Sequence, residues 1–449
     1  MSSLSTNTNI DISPSRRKRF VFLVLLVVLL TVVFQGWLPA DDGVFKIIFR
    51  SVFGVTFALL LYFLVAYHPF RFTKEETANM RFYILMTVLF FLVIVLERIY
   101  VSPGEPELSQ PGLKTYTILV QLPFWGLLGF WLARDVATFR GLLAKLAMMA
   151  AIFSVAHFAA SRVGVIEAYL QAPLNWPIQF FALFGYFWFL YQFFSTAATR
   201  DSLIGMVCCS LEVFGEFHKP VVISGLVGTL IVVWLIKKYD SHWRLVVWKI
   251  LLVVAFGTSG FLVINAITEG TIFDKMEQVF MEKYLHSSTG TFEGDPTYIV
   301  MKLSGGRTIL WALAYNAFLK SPVVGSGFGQ EFENDFYSGQ KLPVHSQYID
   351  VLLSVGVAGF LIALISGIWF LRVSNAGLYA RSNLDIIIPC LAFVFAIGTY
   401  NAGGSVIWFA PTSYLLFIVV GALLQLGNAS GMGISRRQRR RQLLRHENH

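Results

Sequence analysis

Charge is scarce in this chain. Asp, Glu, Lys and Arg make up 14% of its 449 residues, where a soluble domain carries about 25%. That shortage excludes an ordinary water-soluble globule. Cysteine is scarcer still: Cys208, Cys209 and Cys390 are the only three, and all fall inside apolar runs. No disulfide framework and no cysteine-based metal site follows from them. No clear internal repeat is visible either, which argues against a carrier assembled from two similar halves.

What fills the chain instead is apolar. Hydrophobic residues reach 56% and the mean hydropathy is +0.65. Runs of roughly 16–25 apolar residues, the length a bilayer core requires, recur about twelve times. They lie near 20–39, 45–67, 82–100, 114–133, 142–161, 176–196, 202–216, 220–236, 245–267, 347–371, 384–400 and 406–426. Hydrocarbon cannot satisfy an exposed backbone, so spanning segments of this kind are helices. The pattern predicts an all-α polytopic membrane protein with about twelve transmembrane helices. The seventh run is the weakest, because it is short and contains Glu212. The first run follows Arg16, Arg17, Lys18 and Arg19. It is too long for the usual secretory h-region and reads as a retained signal anchor.

Basic residues orient the chain. With the N-terminus inside, Arg71, Lys74, Arg81, Arg134, Arg140, Lys145, Arg200, Lys237, Lys238, Arg372 and Arg381 fall on cytoplasmic connections. The short outer connections hold Lys46, Lys114, Arg162 and Lys219, with Arg50 and Arg98 near outer helix ends. The positive-inside rule then puts both termini in the cytoplasm. Residues 1–19 form a basic, Ser/Thr/Asn-rich N-terminus expected to be disordered. Residues 20–267 carry spans one to nine, 268–346 one long outer loop, 347–426 spans ten to twelve, and 427–449 a basic tail. Beside a terminal span, the arginines of that tail suit anionic inner-leaflet lipid better than nucleic acid.

The long loop carries most of the polar chemistry. Residues 271–286 place Ile272, Phe273, Met276, Val279 and Phe280 on one helical face, opposite Asp274, Lys275, Glu277, Glu282 and Lys283. An amphipathic helix on the outer leaflet is expected there, as a structural lid or as a substrate-handling element. A polar linker, 287–296, follows. Residues 304–320 then predict a second helix opened by Gly305, Gly306 and Arg307. A cation in a first turn opposes the helix dipole, so it does not serve helix stability. With the free N–H groups of that turn it makes an anion site, and its planar fork suits phosphate. A snorkelling surface arginine satisfies the same pattern. Pro322 stops the helix, and Gly325, Gly327 and Gly329 predict tight turns. No strand precedes these glycines, so they do not read as a nucleotide loop. His345 opens the tenth span. It fits a general base or a plain polar contact. His218 and His286 lack any metal-ligand spacing toward it.

Taken in order, these residues resemble the O-antigen ligase/polymerase superfamily of bacterial envelope glycan transferases. The order is Gly306, Arg307 and Trp311, then Pro322, Gly325 and Gly327, then His345, Tyr348, Gly356 and Gly359. The close match covers about 303–360. The resemblance implies a GT-C-like architecture with one long helical extracytoplasmic loop. It also implies an inverting, metal-independent glycosyltransferase in the bacterial inner membrane that needs no cofactor. The implied donor is a glycan on undecaprenyl diphosphate. The implied acceptor is a glycan or glycolipid hydroxyl at the periplasmic face, in lipopolysaccharide or exopolysaccharide assembly. Arg307 and His345 match the family's diphosphate-binding arginine and its histidine near the acceptor.

The family's second basic residue has two candidates here. Arg200 has the usual residue type but falls on the cytoplasmic side. Lys219 opens the eighth span on the outer face and is preferred. Arg50, Arg98 and Arg162 are further candidates for the diphosphate. Ser346 stands where Asn is common, and Ser354 where an acidic residue often precedes the glycine. These departures leave ligase and polymerase both open. The alternative is a polysaccharide or lipid-linked glycan transporter without transferase activity. It would place polar residues at mid-depth rather than at one outer mouth.

Overall fold

The computed structural model describes residues 54, 55, 58, 62, 74–100, 110–162, 176–195, 199–215, 219–239, 248–249, 307–334, 340–344, 346–379, 381, 383–402 and 410–431. The chain is mostly helical. In order come α1 (Lys74–Tyr100), α2 (Gln110–Leu132), α3 (Val136–Arg162), α4 (Trp176–Ser195), α5 (Thr199–Gly215) and α6 (Lys219–Tyr239). Then follow α7 (Arg307–Phe318), β1 (Glu331–Asn334), β2 (Gln340–Pro343), α8 (Gln347–Tyr379), α9 (Leu384–Tyr400) and α10 (Ala410–Gly431). The expected span at 20–39, most of those at 45–67 and 245–267, the amphipathic helix at 271–286, the linker and both termini lie outside the described residues.

Five of these helices contain stretches long and apolar enough to cross a bilayer: Glu76–Ile99, Val136–Ala159, Ile178–Ser195, Pro220–Tyr239 and Gln347–Tyr379. Shorter apolar helices, Ile118–Leu132, Leu384–Tyr400 and Thr412–Gly427, complete the bundle. The α4 stretch is 83% buried and the α1 stretch 17%, so α4 is central and α1 peripheral. α9 is also central, with Ile386, Ile387, Ile388, Phe393 and Ala396 fully enclosed. The outer helices turn apolar side chains outward: Leu85, Val88, Leu92 and Val95 on α1, Leu226, Leu230 and Trp234 on α6, and Leu361, Leu364 and Ile368 on α8 are exposed. Water would penalise such faces, whereas acyl chains match them.

Helices in lipid pack closely through small residues, because the surrounding acyl chains are as apolar as the interface. The α2–α10 pair shows this. A Cβ on Gly129 would fall on the Ile418 carbonyl, and one on Gly421 on the Gly126 carbonyl. Trp125 stacks on Tyr414 beside them, centroids 4.7 Å apart.

Polar contacts define the two ends of the bundle. At one end Arg134 Nη2 lies 2.8 Å from Glu76 Oε2, joining the end of α2 to the start of α1. Arg140 Nη2 donates to Asp385 Oδ1 at 3.1 Å, joining the starts of α3 and α9. Tyr239 donates to Asn375 Oδ1 at 3.2 Å, joining the ends of α6 and α8. Lys237, Lys238 and Arg372 share this basic end by their places on α6 and α8, Arg381 lies between the end of α8 and the start of α9, and Arg200 opens α5, which follows the end of α4 there. At the opposite end Gln347 N–H donates to Asn401 O at 2.9 Å, and Tyr400 meets Phe180 of α4 edge-on with centroids 4.7 Å apart. The ends of α1, α3 and α5 and the start of α6 follow to this second end by the up-and-down order of the helices.

Two features depart from the helical expectation. A small antiparallel hairpin, β1–β2, pairs Glu331 with Pro343 and Asn334 with Gln340. A chain that leaves a helix must still satisfy its backbone groups, and local pairing does so. The tenth span is also longer than expected, running to Tyr379, and it is broken at Gly356 (φ 62, ψ −169).

Candidate functional site

The second end of the bundle gathers the chemistry. α7 begins at Arg307, as its Gly-Gly-Arg opening predicts, and leaves that residue half-buried. One turn on, Trp311 packs with Ala314, Ala317 and Phe318 against Val344, Ile349 and Leu353. The helix that carries Arg307 therefore rests on the residues that flank and follow position 345. The Arg307 charge also falls within electrostatic reach of Tyr400. Ser346 Oγ reaches the Asn401 carbonyl at 3.5 Å, and Tyr348 donates to Gly398 O at 2.7 Å. The start of α7, the start of α8 and the end of α9 thus converge.

The glycine turn after α7 has a structural task that its sequence did not announce. Gly325, Gly327 and Gly329 all take positive φ, at 79°, 86° and 86°. The turn inserts its backbone into the break of α8. Ser326 N–H donates to Leu353 O at 2.8 Å, and Gly327 N–H to Ser354 O at 3.0 Å. In return Val357 N–H donates to Pro322 O at 2.9 Å, and Ala358 N–H to Val323 O at 3.1 Å. These are the carbonyls and amides that a break at Gly356 releases from the helix ladder. In a bilayer each would otherwise cost several kcal/mol, roughly. The dihedrals at Gly356 lie in a region essentially restricted to glycine. A Cβ at Gly356 would meet the Val323 carbonyl, and one at Gly325 the Ser354 carbonyl. The turn locks α7 to α8.

Four buried ionisable groups lie at this end and were not singled out from the sequence as site residues. Glu97 on α1 is enclosed beside the turn, where a Cβ on Gly327 would come 2.9 Å from its Oε1. Asp350 lies in the first turn of α8, 4% exposed. Its Oδ1 accepts from Ser354 Oγ at 3.3 Å, and its Oδ2 has no hydrogen-bond partner among the described residues. His157 on α3 puts Nδ1 2.9 Å from Glu212 Oε2 on α5, both buried. That pair explains how the weakest expected span tolerates Glu212. The available signal was simple: an ionisable residue inside an apolar run is retained for a reason.

The candidates read from the sequence separate clearly. Arg307 is at the site end. Lys219 opens α6 at the same end, and Arg162 and Arg98 close α3 and α1 there. Arg98 Nε lies 3.7 Å from Glu97 Oε2, a long ion pair. Arg200 sits exposed in the first turn of α5, at the basic end, away from Arg307. Arg50 and His345 lie outside the described residues, although Val344 and Ser346 on either side of His345 are buried within them. Among the described residues no cluster of His, Cys, Asp and Glu could hold a metal ion.

Residues 204–364 match the family model described as O-Antigen ligase. The matched stretch begins in α5 and ends inside α8, so it contains Lys219, Arg307, His345 and Asp350. It leaves out Arg50, Arg98, Arg162 and Arg200. No curated protein matches the chain.

Proposed function

We propose that this chain, a member of the O-antigen ligase/polymerase superfamily through residues 204–364, is an inverting glycan transferase working at the Tyr400 end of the bundle. The donor is a glycan on a polyprenyl diphosphate, and the acceptor is a sugar hydroxyl. The carrying observation is the packing of α7 on the start of α8. It brings the helix that opens with Arg307 to the segment that flanks position 345.

The reaction follows from these groups. The acceptor oxygen attacks the anomeric carbon from the face opposite the diphosphate, and the glycosidic C–O bond to phosphate breaks. The electron pair leaves with the diphosphate, and the hydroxyl proton passes to His345. Arg307 and Lys219 meet the negative charge that grows on the leaving group; preset partners of this kind act more strongly in a water-poor site. An apolar cavity of about 290 Å³ lies between α1, α2, α8 and α10, lined among others by Phe90, Phe91, Leu122, Ile362 and Trp369. It also touches Val351, next to Asp350, and gives an isoprenoid chain a place beside the site. The basic residues gathered at the opposite end support, by the positive-inside rule, a site on the extracytoplasmic face.

Deletion of the gene tests the function through its surface glycan. Lipid-linked polymer that accumulates while lipid A-core loses long chains identifies a ligase. Single lipid-linked repeats that accumulate identify a polymerase. Unchanged surface glycan in the deletion strain removes both.

The two basic candidates differ in expectation. Lys219→Ala is expected to lower transfer on the order of 10²-fold, as loss of one electrostatic partner does, and Lys219→Arg to retain most activity. Arg200→Ala, at the other end of the bundle, is expected to stay near the wild-type rate. A quantitative assay of membranes from each variant checks this. An inactive Arg200→Ala beside an active Lys219→Ala would reverse the assignment.

A further inference from the structure

At the basic end of the bundle α6 and α8 meet and then part. Tyr239 donates to Asn375 Oδ1 at 3.2 Å, and the rings of Tyr239 and Tyr379 meet edge-on with centroids 5.6 Å apart. Helical spacing extends the α8 stripe of Tyr379 and Asn375 through Arg372, Ile368, Ile365 and Leu361. Every residue of that stripe is exposed. A helix packed along it would cover it, so α6 turns away beyond Asn375. α6 has an exposed stripe of its own: Leu226, Leu230, Trp234 and Lys238. Both helices pack on α9, which lies behind the opening. The result is a lipid-facing groove, narrow at the basic end and wider toward mid-bilayer.

The two parts of the groove differ in chemistry. From Leu361 to Arg372 the helix rises about 16 Å at 1.5 Å per residue, roughly half the hydrocarbon core of a bilayer. Leucine and isoleucine side chains line that length, and acyl chains match them. The narrow end is cationic. Lys238 and Arg372 flank the Tyr239–Asn375 bond, one on each helix. α6 carries no acid, and α8 carries none after Asp350. Asp385, at the start of α9, is engaged by Arg140. Neither Lys238 nor Arg372 has a carboxylate partner among the described residues. The Lys238 ammonium lies over three rings, 5.0 Å from Trp234, 5.2 Å from Tyr239 and 5.9 Å from Tyr379. The rings attract the cation. They also hold a long side chain that would otherwise lose much of its freedom on binding. Trp234 is of the type that favours the headgroup level of a bilayer.

We propose that this groove binds an anionic phospholipid from the leaflet at the basic end. The phosphate lies between Lys238 and Arg372, and an acyl chain follows the wall from Ile368 to Leu361. Charge selects the lipid. Two cations with no carboxylate beside them suit a net-negative headgroup, whereas a zwitterionic one brings an ammonium that they repel. The site stands at the opposite end of the bundle from Arg307 and does not depend on the glycan-transfer reading.

Phosphatidylglycerol is the probe and phosphatidylcholine its comparison. Each is titrated into the purified full-length protein in detergent, and bound lipid is counted by native mass spectrometry. The wild type is expected to retain phosphatidylglycerol in preference to phosphatidylcholine. Lys238→Gln combined with Arg372→Gln is expected to weaken phosphatidylglycerol binding roughly 25-fold, about fivefold for each cation near an anionic headgroup, and to leave phosphatidylcholine unchanged. Arg200→Gln, exposed at the same end but on α5, is expected to change it less than about twofold. Melting temperature in phosphatidylcholine follows the fold of every variant. A diazirine-bearing phosphatidylglycerol locates the site on the wild type without any substitution, and cross-links are expected on the peptides that carry Trp234 and Ile368. Equal retention of the two lipids by the wild type would overturn the proposal. So would a preference that survives in the double variant, or cross-links confined to other helices. An equal loss in Arg200→Gln would mean diffuse attraction to the basic end and no built site. A dimer that carries no lipid would make the two stripes a contact between copies, and the lipid site would fall.

Discussion

His345→Ala is expected to slow glycan transfer by about 10²–10⁴-fold, the span that general-base help contributes, while the protein still inserts in the membrane. The substitution removes an imidazole from the segment between Val344 and Ser346, both of which are buried. The anchors around it remain: Gln347 N–H on Asn401 O at 2.9 Å, and Tyr348 on Gly398 O at 2.7 Å. Backbone and neighbouring side chains thus hold the start of α8 without the histidine. Rate measurement on purified protein, beside quantitation of the tagged chain in membranes, separates chemistry from folding. His345→Gln sharpens the result. Glutamine can still hydrogen-bond a hydroxyl, but it cannot take a proton at neutral pH. Equal losses in both variants mean proton transfer, whereas a glutamine variant close to wild type would mean that the ring only orients the acceptor.

Arg307→Ala is expected to reduce kcat by about 10²–10³-fold, the cost of removing one preset partner of a developing oxyanion. Its effect on stability should have the opposite sign to that of a structural residue. Arg307 is the first residue of α7, and a cation there works against the helix dipole by about 0.3–1 kcal/mol at an exposed site. Alanine relieves that strain and is a good helix former. Melting temperature should hold or rise slightly while activity collapses. Arg307→Lys keeps the charge but loses the two-pronged fork that fits a phosphate, so it is expected to fall between wild type and alanine. Full transfer by Arg307→Ala would end the assignment of a diphosphate partner. A lowered melting temperature with unchanged specific activity would make the arginine a packing residue.

Both expectations stand on features that differ in how readily the sequence shows them. Arg307 at a helix start was legible, because Gly305 and Gly306 break the chain and an apolar period follows at once. The turn at Gly325, Gly327 and Gly329 was legible as a turn. Its partner was not: Gly356 lies in an apolar run that reads as one unbroken helix. The exchange of four backbone hydrogen bonds across some thirty residues leaves no mark in local composition. The hairpin β1–β2 escaped for the same reason, since EFEN and QKLP carry no alternating apolar pattern. Asp350 was not singled out, because its burial comes from segments distant in the chain. Arg200 and Lys219 were ranked by side alone, and the helix ends that meet in the fold keep them apart.

The sequence by itself determined the material of this protein. Bilayer hydrocarbon demands helices of a given length, so apolar runs set where they lie, and lysine and arginine set which ends are alike. Tertiary structure decided the working geometry: α7 folded back on the start of α8, the glycine turn plugged into the break at Gly356, and carboxylates enclosed at Glu97 and Asp350. The division has a physical cause. Helix formation is satisfied by hydrogen bonds four residues apart, which local sequence encodes. The site is made by groups that satisfy one another only after segments distant in the chain have met.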